Sequence, residues 1–169
     1  IILIGKSTDA TGFGGASFSS ATLDTDNESA NIGAVQVHDP FLKRVLVEAI
    51  QAVLEDVHTQ GIEIGFKDLG AGGISCAASE IAAHSGFGVI LKLDDVNKIS
   101  SALPSQVVAC SETQERFCLA VPKTYSKRVL EIINDSYEMS KIYPNAGAVI
   151  IGEVVNDDRF FMMAKGEKV

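Results

Sequence analysis

Short apolar runs of strand length alternate along this chain with stretches of helical periodicity, and this alternation restricts the possible folds more than any other feature. The clearest helix begins at Asp39-Pro40. Aspartate can accept from the unpaired N–H groups of a first turn, and proline at the first helical position loses no bond it needed. Behind this start, apolar residues recur at three- and four-residue spacing between residues 41 and 57 and predict one buried face, with Gly61 closing the helix.

The remaining elements predict the fold class. Strands are expected at residues 1–5, 62–66, 88–93, 117–121, 149–155 and 160–164, and further helices at 74–84, near 103–104 and at 125–137. The turn-forming residues Asn156-Asp-Asp158 predict a hairpin between the last two strands. Helices interleaved with strands, ending in an antiparallel pair, indicate an α+β fold in which helices pack on a mixed β-sheet. The 169 residues are 46% apolar and contain no repeat or linker, so we expect residues 1–169 to form a single domain.

The acidic charge balance excludes one class of partner. The chain has 14 Lys+Arg against 22 Asp+Glu and a formal net charge of −8. A protein that tracks the nucleic-acid backbone needs a basic stripe, so we expect no nucleic-acid partner. A small phosphorylated ligand is still possible, because backbone N–H groups and a metal ion can hold phosphate without net positive charge.

The cysteines and the apolar runs indicate where the protein works. Cys76, Cys110 and Cys118 are an odd set without CxxC spacing, which favours reduced cytosolic thiols over a zinc site or a disulfide framework. No apolar run approaches the roughly 18 residues of a membrane span, and nothing resembles a signal peptide. We expect a cytoplasmic protein with no membrane partner. Because the chain begins with Ile1 inside a strand-like run, we also expect it to be a piece of a longer chain.

The segment Asp68-Leu-Gly-Ala-Gly-Gly73 follows a predicted strand and precedes a predicted helix. A carboxylate in that position can hold Mg²⁺, and the N–H groups of the helix start can hold phosphate oxygens. The alternative is a plain strand-to-helix turn in which Asp68 makes a local turn bond. The spacing matches neither a dinucleotide-binding fingerprint nor a P-loop.

The run Ser111-Glu-Thr-Gln-Glu-Arg116 places hydrogen-bonding side chains directly before a strand. It is either the edge of a ligand site or a solvated loop with an internal Glu–Arg pair. Gln36, just before the helix start at Asp39, can read a ligand amide or satisfy backbone groups. No nucleophile–base pair is evident, so we predict no catalytic residue in this chain.

Taken in order, these motifs resemble the synthetase component of the phosphoribosylformylglycinamidine synthase family, over essentially the whole chain. The matching segments are residues 12–20, 35–41, 67–75, 79–83, 111–116 and 151–154. The resemblance implies a fold similar to the C-terminal domain of aminoimidazole ribonucleotide synthetase. It also implies an ATP-dependent carbon–nitrogen ligase of purine biosynthesis, which activates the amide oxygen of formylglycinamide ribonucleotide and admits glutamine-derived ammonia.

Residue by residue, the resemblance implies that Asp68 is a magnesium ligand and that Gln36, Glu112, Thr113 and Gln114 bind the ribonucleotide. Mg²⁺ and ATP are the implied cofactor and co-substrate. A glutaminase domain or subunit, and preceding and repeated domains of the parent chain, are the implied partners, so this piece alone is expected to be inactive.

This sequence departs from the family pattern at several positions. Ala10-Thr11 stands where the family has an Arg-Asp pair, and Thr113 replaces a serine while keeping the hydroxyl. Two alternatives stay open: a domain of a related small-molecule kinase or of a hydrogenase or selenium maturation enzyme, and a non-catalytic assembly module.

Overall fold

The computed structural model describes residues 1–16 and 37–169. The strands of these residues are β1 (Ile2–Gly5), β2 (Gly65–Asp68), β3 (Gly88–Lys92), β4 (Arg116–Ala120), β5 (Gly147–Ile150), β6 (Gly152–Val155), β7 (Phe160–Ala164) and β8 (Glu167–Lys168). The α-helices are α1 (Pro40–Gln60), α2 (Gly73–His84), α3 (Ser105–Cys110) and α4 (Ser126–Leu130), and α4 continues as the π-helical segment Glu131–Ser136. Short 3₁₀ turns occupy Leu93–Asp95 and Met139–Lys141.

The first sheet has the strand order β2-β4-β1-β5, with every neighbouring pair antiparallel. Its strand β1 is buried on both faces. Ile2 and Ile4 pack into a cluster with α1 and α4, whereas Leu3 packs into a second cluster with α2 and β3. Burial on both sides explains why the start of the chain is a continuous apolar run and not an alternating one.

Helix α1 confirms the prediction made from its start and its periodicity. Asp39 caps it by accepting the Leu42 N–H at 2.9 Å, and Pro40 is its first residue. Gly61 ends it in the left-handed conformation, with φ 64°. The buried residues lie on one face, namely Leu42, Leu46, Ala49, Ile50, Val53 and Val57.

The second sheet has the order β6-β3-β7-β8 and is mixed, because β3 runs parallel to β7 and antiparallel to β6. The α+β class with a mixed sheet and packed helices is therefore confirmed. The predicted hairpin of β6 and β7 is wrong, since β3 lies between them. The connecting loop crosses the start of β3, where the Val89 N–H donates to the Arg159 carbonyl at 3.0 Å and Gly88 leaves room for the loop backbone.

Two further predicted boundaries differ from the structure. The strand expected at residues 149–155 is divided at Ile151 between the two sheets, and the strand expected at 62–66 forms at Gly65–Asp68. No helix within the described ranges is long and apolar enough to cross a membrane. That residues 1–169 form a single domain stays a prediction.

Candidate functional site

Polar segments meet at one end of the first sheet. Gly5 at the end of β1 lies opposite Arg116 at the start of β4, and Asp68 at the end of β2 lies opposite Phe117. Because these strands are antiparallel, the segments that leave β1 and β2 and the segment that enters β4 emerge at the same edge. The segments brought together in this way are residues 6–16, the glycine loop 69–73 and the polar run 111–116.

The glycine loop joins β2 to α2 and packs directly on the polar run. Gly72 and Gly73 have φ values of 76° and 56°, a conformation that glycine adopts at little cost. A Cβ on Gly73 would collide with the main-chain oxygen of Ser111. Asp68, the last residue of β2, is exposed beside this junction. Its carboxylate makes no turn hydrogen bond within the described residues, and its role as a metal ligand stays a prediction.

Arg116 is the buried centre of the polar run, with 2% of its surface exposed. Its guanidinium donates to the main-chain oxygens of Thr113 and Ser111 at 2.9 and 2.6 Å, and to Thr8 Oγ1 at 2.8 Å. Burial lowers the pKa of Arg116 to about 10, and the negative charge of Asp9 opposes that shift. The alternative of a solvated loop with a Glu–Arg pair is wrong, because every residue of the run except Gln114 is buried and the guanidinium binds carbonyls and a hydroxyl.

Asp9 joins the loop after β1 to the same run. Its main-chain N–H donates to Thr113 Oγ1 at 3.2 Å, and its carboxylate accepts from the hydroxyls of Thr113 and Thr11 at 3.1 and 2.5 Å. The Lys6 ammonium lies 3.3 Å from the other carboxylate oxygen. Burial alone would raise the pKa of Asp9. The hydrogen bonds from Thr11 and Thr113 and the charge on Lys6 outweigh burial and hold the pKa below its ordinary value.

Glu112, Thr113 and Gln114, which were predicted to bind the ribonucleotide, have different hydrogen-bond partners. Glu112 Oε1 accepts the Ala16 N–H at 2.9 Å, and Gln114 Nε2 donates to the Glu112 carbonyl at 3.0 Å. The Thr113 hydroxyl is turned inward onto Asp9. Glu115 follows with φ 56°, and its buried Oε2 has no hydrogen-bond partner among the described residues. The structure therefore places Glu112, Thr113 and Gln114 in one segment beside Asp68, and their roles toward a ligand stay predictions.

Gln36 lies outside the described residues. The start of α1, a few residues further along the chain, reaches the same end of the sheet. There the Lys43 ammonium lies 4.8 Å from the centroid of the Phe117 ring. The first turn of α1 is thus near the start of β4.

Asp68 is the candidate magnesium ligand at this end of the first sheet. Within residues 1–16 and 37–169, no group of three or more His, Cys, Asp or Glu side chains could hold a metal ion. Mg²⁺ does not require such a cage, because it is commonly held by one or two carboxylates together with waters and substrate phosphates. The exposed Asp68 carboxylate fits that role, with the remaining ligands supplied by a phosphorylated substrate and water.

A groove of about 840 Å³ lies beside this site and not over it. It runs along the end of α2 and includes Lys67, whose ammonium pairs with Glu80 at 2.6 Å. Glu80 also accepts from the Cys76 thiol at 3.2 Å. Of the predicted site residues that the structure describes, none lines this groove.

Reasoning from the sequence missed Lys6, Thr8 and Asp9 as parts of the site, and it included Arg116 only as the last residue of the polar run. One feature pointed to the first three, since these polar residues directly follow a buried strand. Nothing in the sequence pointed to the partners of Arg116, because Thr8 is 108 residues away along the chain.

Comparison with known proteins identifies the family. Residues 1–165 match the family described as AIR synthase related protein, C-terminal domain, and the chain belongs to it. Over its full length it is 44% identical to phosphoribosylformylglycinamidine synthase subunit PurL of Methanothrix thermoacetophila. The chain spans about a fifth of the length of the curated relatives it matches, 22% in that case.

Solved structures show the same fold. A structure of PurL from Thermotoga maritima complexed with FGAR superposes on this chain with a TM-score of 0.84 and 29% identity. The matched region covers 99% of this chain and 26% of the T. maritima chain. The T. maritima PurL complexed with ATP gives a TM-score of 0.75 and 25% identity, with coverage of 99% and 23%. The resemblance to this family predicted from the motifs is confirmed.

Proposed function

We propose that this chain is the part of a phosphoribosylformylglycinamidine synthase that forms one wall of its ribonucleotide and magnesium site. The observation that carries the proposal is the 44% identity over the full chain to a PurL subunit, taken together with the meeting of the glycine loop 69–73 and the polar run 111–116 at one end of the first sheet. In this proposal the whole protein is a cytoplasmic, ATP-dependent carbon–nitrogen ligase of purine biosynthesis.

The proposed reaction has two steps. The amide oxygen of formylglycinamide ribonucleotide attacks the γ-phosphorus of ATP, which gives an iminophosphate and ADP. Ammonia, released from glutamine by a glutaminase domain or subunit, then displaces inorganic phosphate and leaves the amidine. This chain has no proposed catalytic residue in either step, so the remaining domains of the parent protein are needed for turnover.

The residues here bind and orient the substrates. Glu112, Gln114 and Gln36 carry carboxylate and amide groups suited to the hydroxyls and amides of the ribonucleotide, and Asp68 would hold Mg²⁺ beside them. Bound there, the ion offsets the charge of phosphate oxygens. The buried contacts of Arg116 keep the polar run in place, so Glu112 and Gln114 are oriented before the substrate arrives.

The function is tested in the full-length protein with an ammonium salt as the nitrogen source. ADP release is expected to require formylglycinamide ribonucleotide. ATP consumption that ignores this ribonucleotide but responds to another acceptor would instead favour a kinase or maturation enzyme of the same fold. A folded full-length protein that binds no ribonucleotide would favour an assembly module.

The magnesium assignment is tested by Asp68→Asn, which removes charge with little change of shape. Turnover is expected to fall by at least roughly 10- to 100-fold, the loss typical even for groups that only support a metal ligand, and more Mg²⁺ should be needed for half-maximal rate. Asp158→Asn makes the same change at an exposed loop residue on the second sheet and serves as the matched control. Kinetics of Asp68→Asn that match this control would contradict the assignment.

A further inference from the structure

The Thr113 hydroxyl joins two parts of the site that are far apart in sequence. It accepts the Asp9 N–H at 3.2 Å and donates to the Asp9 carboxylate at 3.1 Å. Ser111 Oγ donates to the Asp9 carbonyl at 2.7 Å and lies 3.0 Å from Thr113 Oγ1. Only 1% of the surface of Thr113 is exposed, so this hydroxyl is committed to the protein.

The neighbours of Thr113 are fixed by the same arrangement. Arg116 binds the Thr113 carbonyl from the buried side, and the Asp9 contacts hold the side chain. With its main chain and side chain both restrained, Thr113 fixes the position of the residues on either side. Those residues are Glu112 and Gln114, the groups assigned to the ribonucleotide.

We propose that Thr113 is a positioning residue: anchored by Asp9, it acts on the ribonucleotide by holding Glu112 and Gln114 in place and not by direct contact of its hydroxyl. This inference rests on the proposed function and deepens it. Loop 6–16 and the polar run then move as one unit, because the Asp9–Thr113 contacts lock them together. A second residue of the loop supports this contact. The Thr11 N–H donates to the Asp9 carboxylate at 3.0 Å and so orients the carboxylate.

The test is a pair of substitutions in the full-length protein. Thr113→Val keeps the shape but removes the hydroxyl, whereas Thr113→Ser keeps the hydroxyl. Thr113→Val is expected to lower kcat/KM for formylglycinamide ribonucleotide by roughly 10- to 100-fold, the cost of a misplaced binding group, and to leave KM for ATP within about twofold. Thr113→Ser is expected to recover most of that loss. Thr59→Val, at the exposed end of α1, is the matched control for the same chemical change.

A purely structural role would give a different result. Loss of folded protein lowers kcat in proportion and leaves both KM values unchanged, and that outcome would overturn the proposal. Equal losses in Thr113→Val and Thr113→Ser would overturn it too, since they would make the methyl group and not the hydroxyl responsible.

Hydrogen exchange followed by mass spectrometry provides a readout that does not depend on activity. Peptides covering residues 6–16 are expected to exchange faster in Thr113→Val than in the unmodified protein, with no change in Thr59→Val. The Asp9 amide loses its acceptor, and the Asp9 carboxylate, which accepts the Thr11 amide, loses one of the donors that hold it. Unchanged exchange in this loop would overturn the link between Asp9 and Thr113 by itself. If the unmodified protein did not use formylglycinamide ribonucleotide at all, the proposed function would fail, and this measurement would still decide whether the link exists.

Discussion

Two lysine–carboxylate ion pairs of this chain differ in environment. Lys6 and Asp9 are 3.3 Å apart, with side chains 5% and 10% exposed. Lys67 and Glu80 are closer, at 2.6 Å, but 43% and 49% exposed. Exposed pairs are screened by water and contribute little, whereas a buried charge that loses its partner is costly. Burial, and not the distance between the charges, therefore determines which region holds the site together.

The buried region also differs in what surrounds it. Asp9 is tied to Thr113 and Thr11 by hydrogen bonds, and its charge acts on Arg116. Glu80 has Lys67 and the Cys76 thiol as partners, all on the outer side of β2 and α2. The first arrangement connects two distant segments, and the second connects a strand to the helix that follows it.

The largest expected effect comes from Arg116→Met in the buried region. The substitution leaves the carbonyls of Ser111 and Thr113 and the Thr8 hydroxyl without the guanidinium donor. It also removes a positive charge that interacts with the negative charge of Asp9. Losing one partner of a buried charged network typically costs about 3–5 kcal/mol. Urea unfolding followed by circular dichroism would measure this cost as a fall in the free energy of unfolding.

Arg44→Met is the matched control for that experiment. Arg44 lies on the solvent side of α1, where it pairs with Glu48 at 2.6 Å and is 76% exposed. Its loss should change the unfolding midpoint little, since an exposed pair one helical turn apart contributes only about 0.3–0.5 kcal/mol. If Arg116→Met unfolded at the same urea concentration as Arg44→Met, the contrast between buried and exposed regions would be wrong.

A smaller effect, with a characteristic pH dependence, is expected from Asp9→Asn. Because the pKa of Asp9 is lowered in the folded protein, its charge stabilises the fold above the ordinary value of 3.8, and that contribution is lost as pH falls through the lowered folded value. At neutral pH the substitution should cost about 1–3 kcal/mol, because Lys6 loses its charged acceptor. The difference in the free energy of unfolding between the variant and the unmodified protein should therefore shrink as pH falls from 3.8 through the lowered folded pKa.

The measurement is the free energy of unfolding at a series of pH values from 7 down to the acid limit of the fold. A constant difference between Asp9→Asn and the unmodified protein at every pH would contradict the role given to the charge. Such a difference would instead be caused by the altered hydrogen bonds of the amide. Asparagine retains one oxygen that can accept from Thr11 and Thr113, but its NH₂ group cannot accept.

Local chemistry made part of this fold predictable from the sequence. Asp39, Pro40 and Gly61 act within one turn of the helix that they delimit, so α1 followed from residue type and spacing. The strand order did not follow in the same way. Asn156-Asp-Asp158 has the composition of a hairpin turn, but the partner of both flanking strands is β3, which lies more than 60 residues earlier in the sequence.

The candidate site was predictable as motifs and not as a network. Asp68 and the run 111–116 could be identified from residue type and from the resemblance to a known family. The contacts of Arg116 with Thr8 and of Asp9 with Thr113 cross more than 100 residues, so they depend on the pairing of β1 with β4. Sequence reasoning therefore left a local Glu–Arg pair open as an alternative, where the structure has a buried arginine between two segments.

The smallest expected effect belongs to the exposed region. Glu80→Gln removes the charged partner of Lys67, and both side chains are nearly half exposed. Water and salt already weaken this pair, so the unfolding midpoint should stay within measurement error, at low and at high ionic strength. A clear loss of stability that salt suppressed would show that exposure does not separate the two regions.

The same variant should still change the chemistry of Cys76. The hydrogen bond to Glu80, together with burial and the negative charge of that carboxylate, raises the pKa of the Cys76 thiol. Glutamine keeps an acceptor but removes the charge, so the pKa should fall and alkylation by iodoacetamide at mildly alkaline pH should be faster. The rate is measured by mass spectrometry of the Cys76 peptide, with Cys118, buried in the core, as an internal reference. A faster reaction with unchanged stability would show that the exposed pair sets local reactivity while the buried pair holds the site in place; an unchanged rate would mean that Glu80 does not control the thiol.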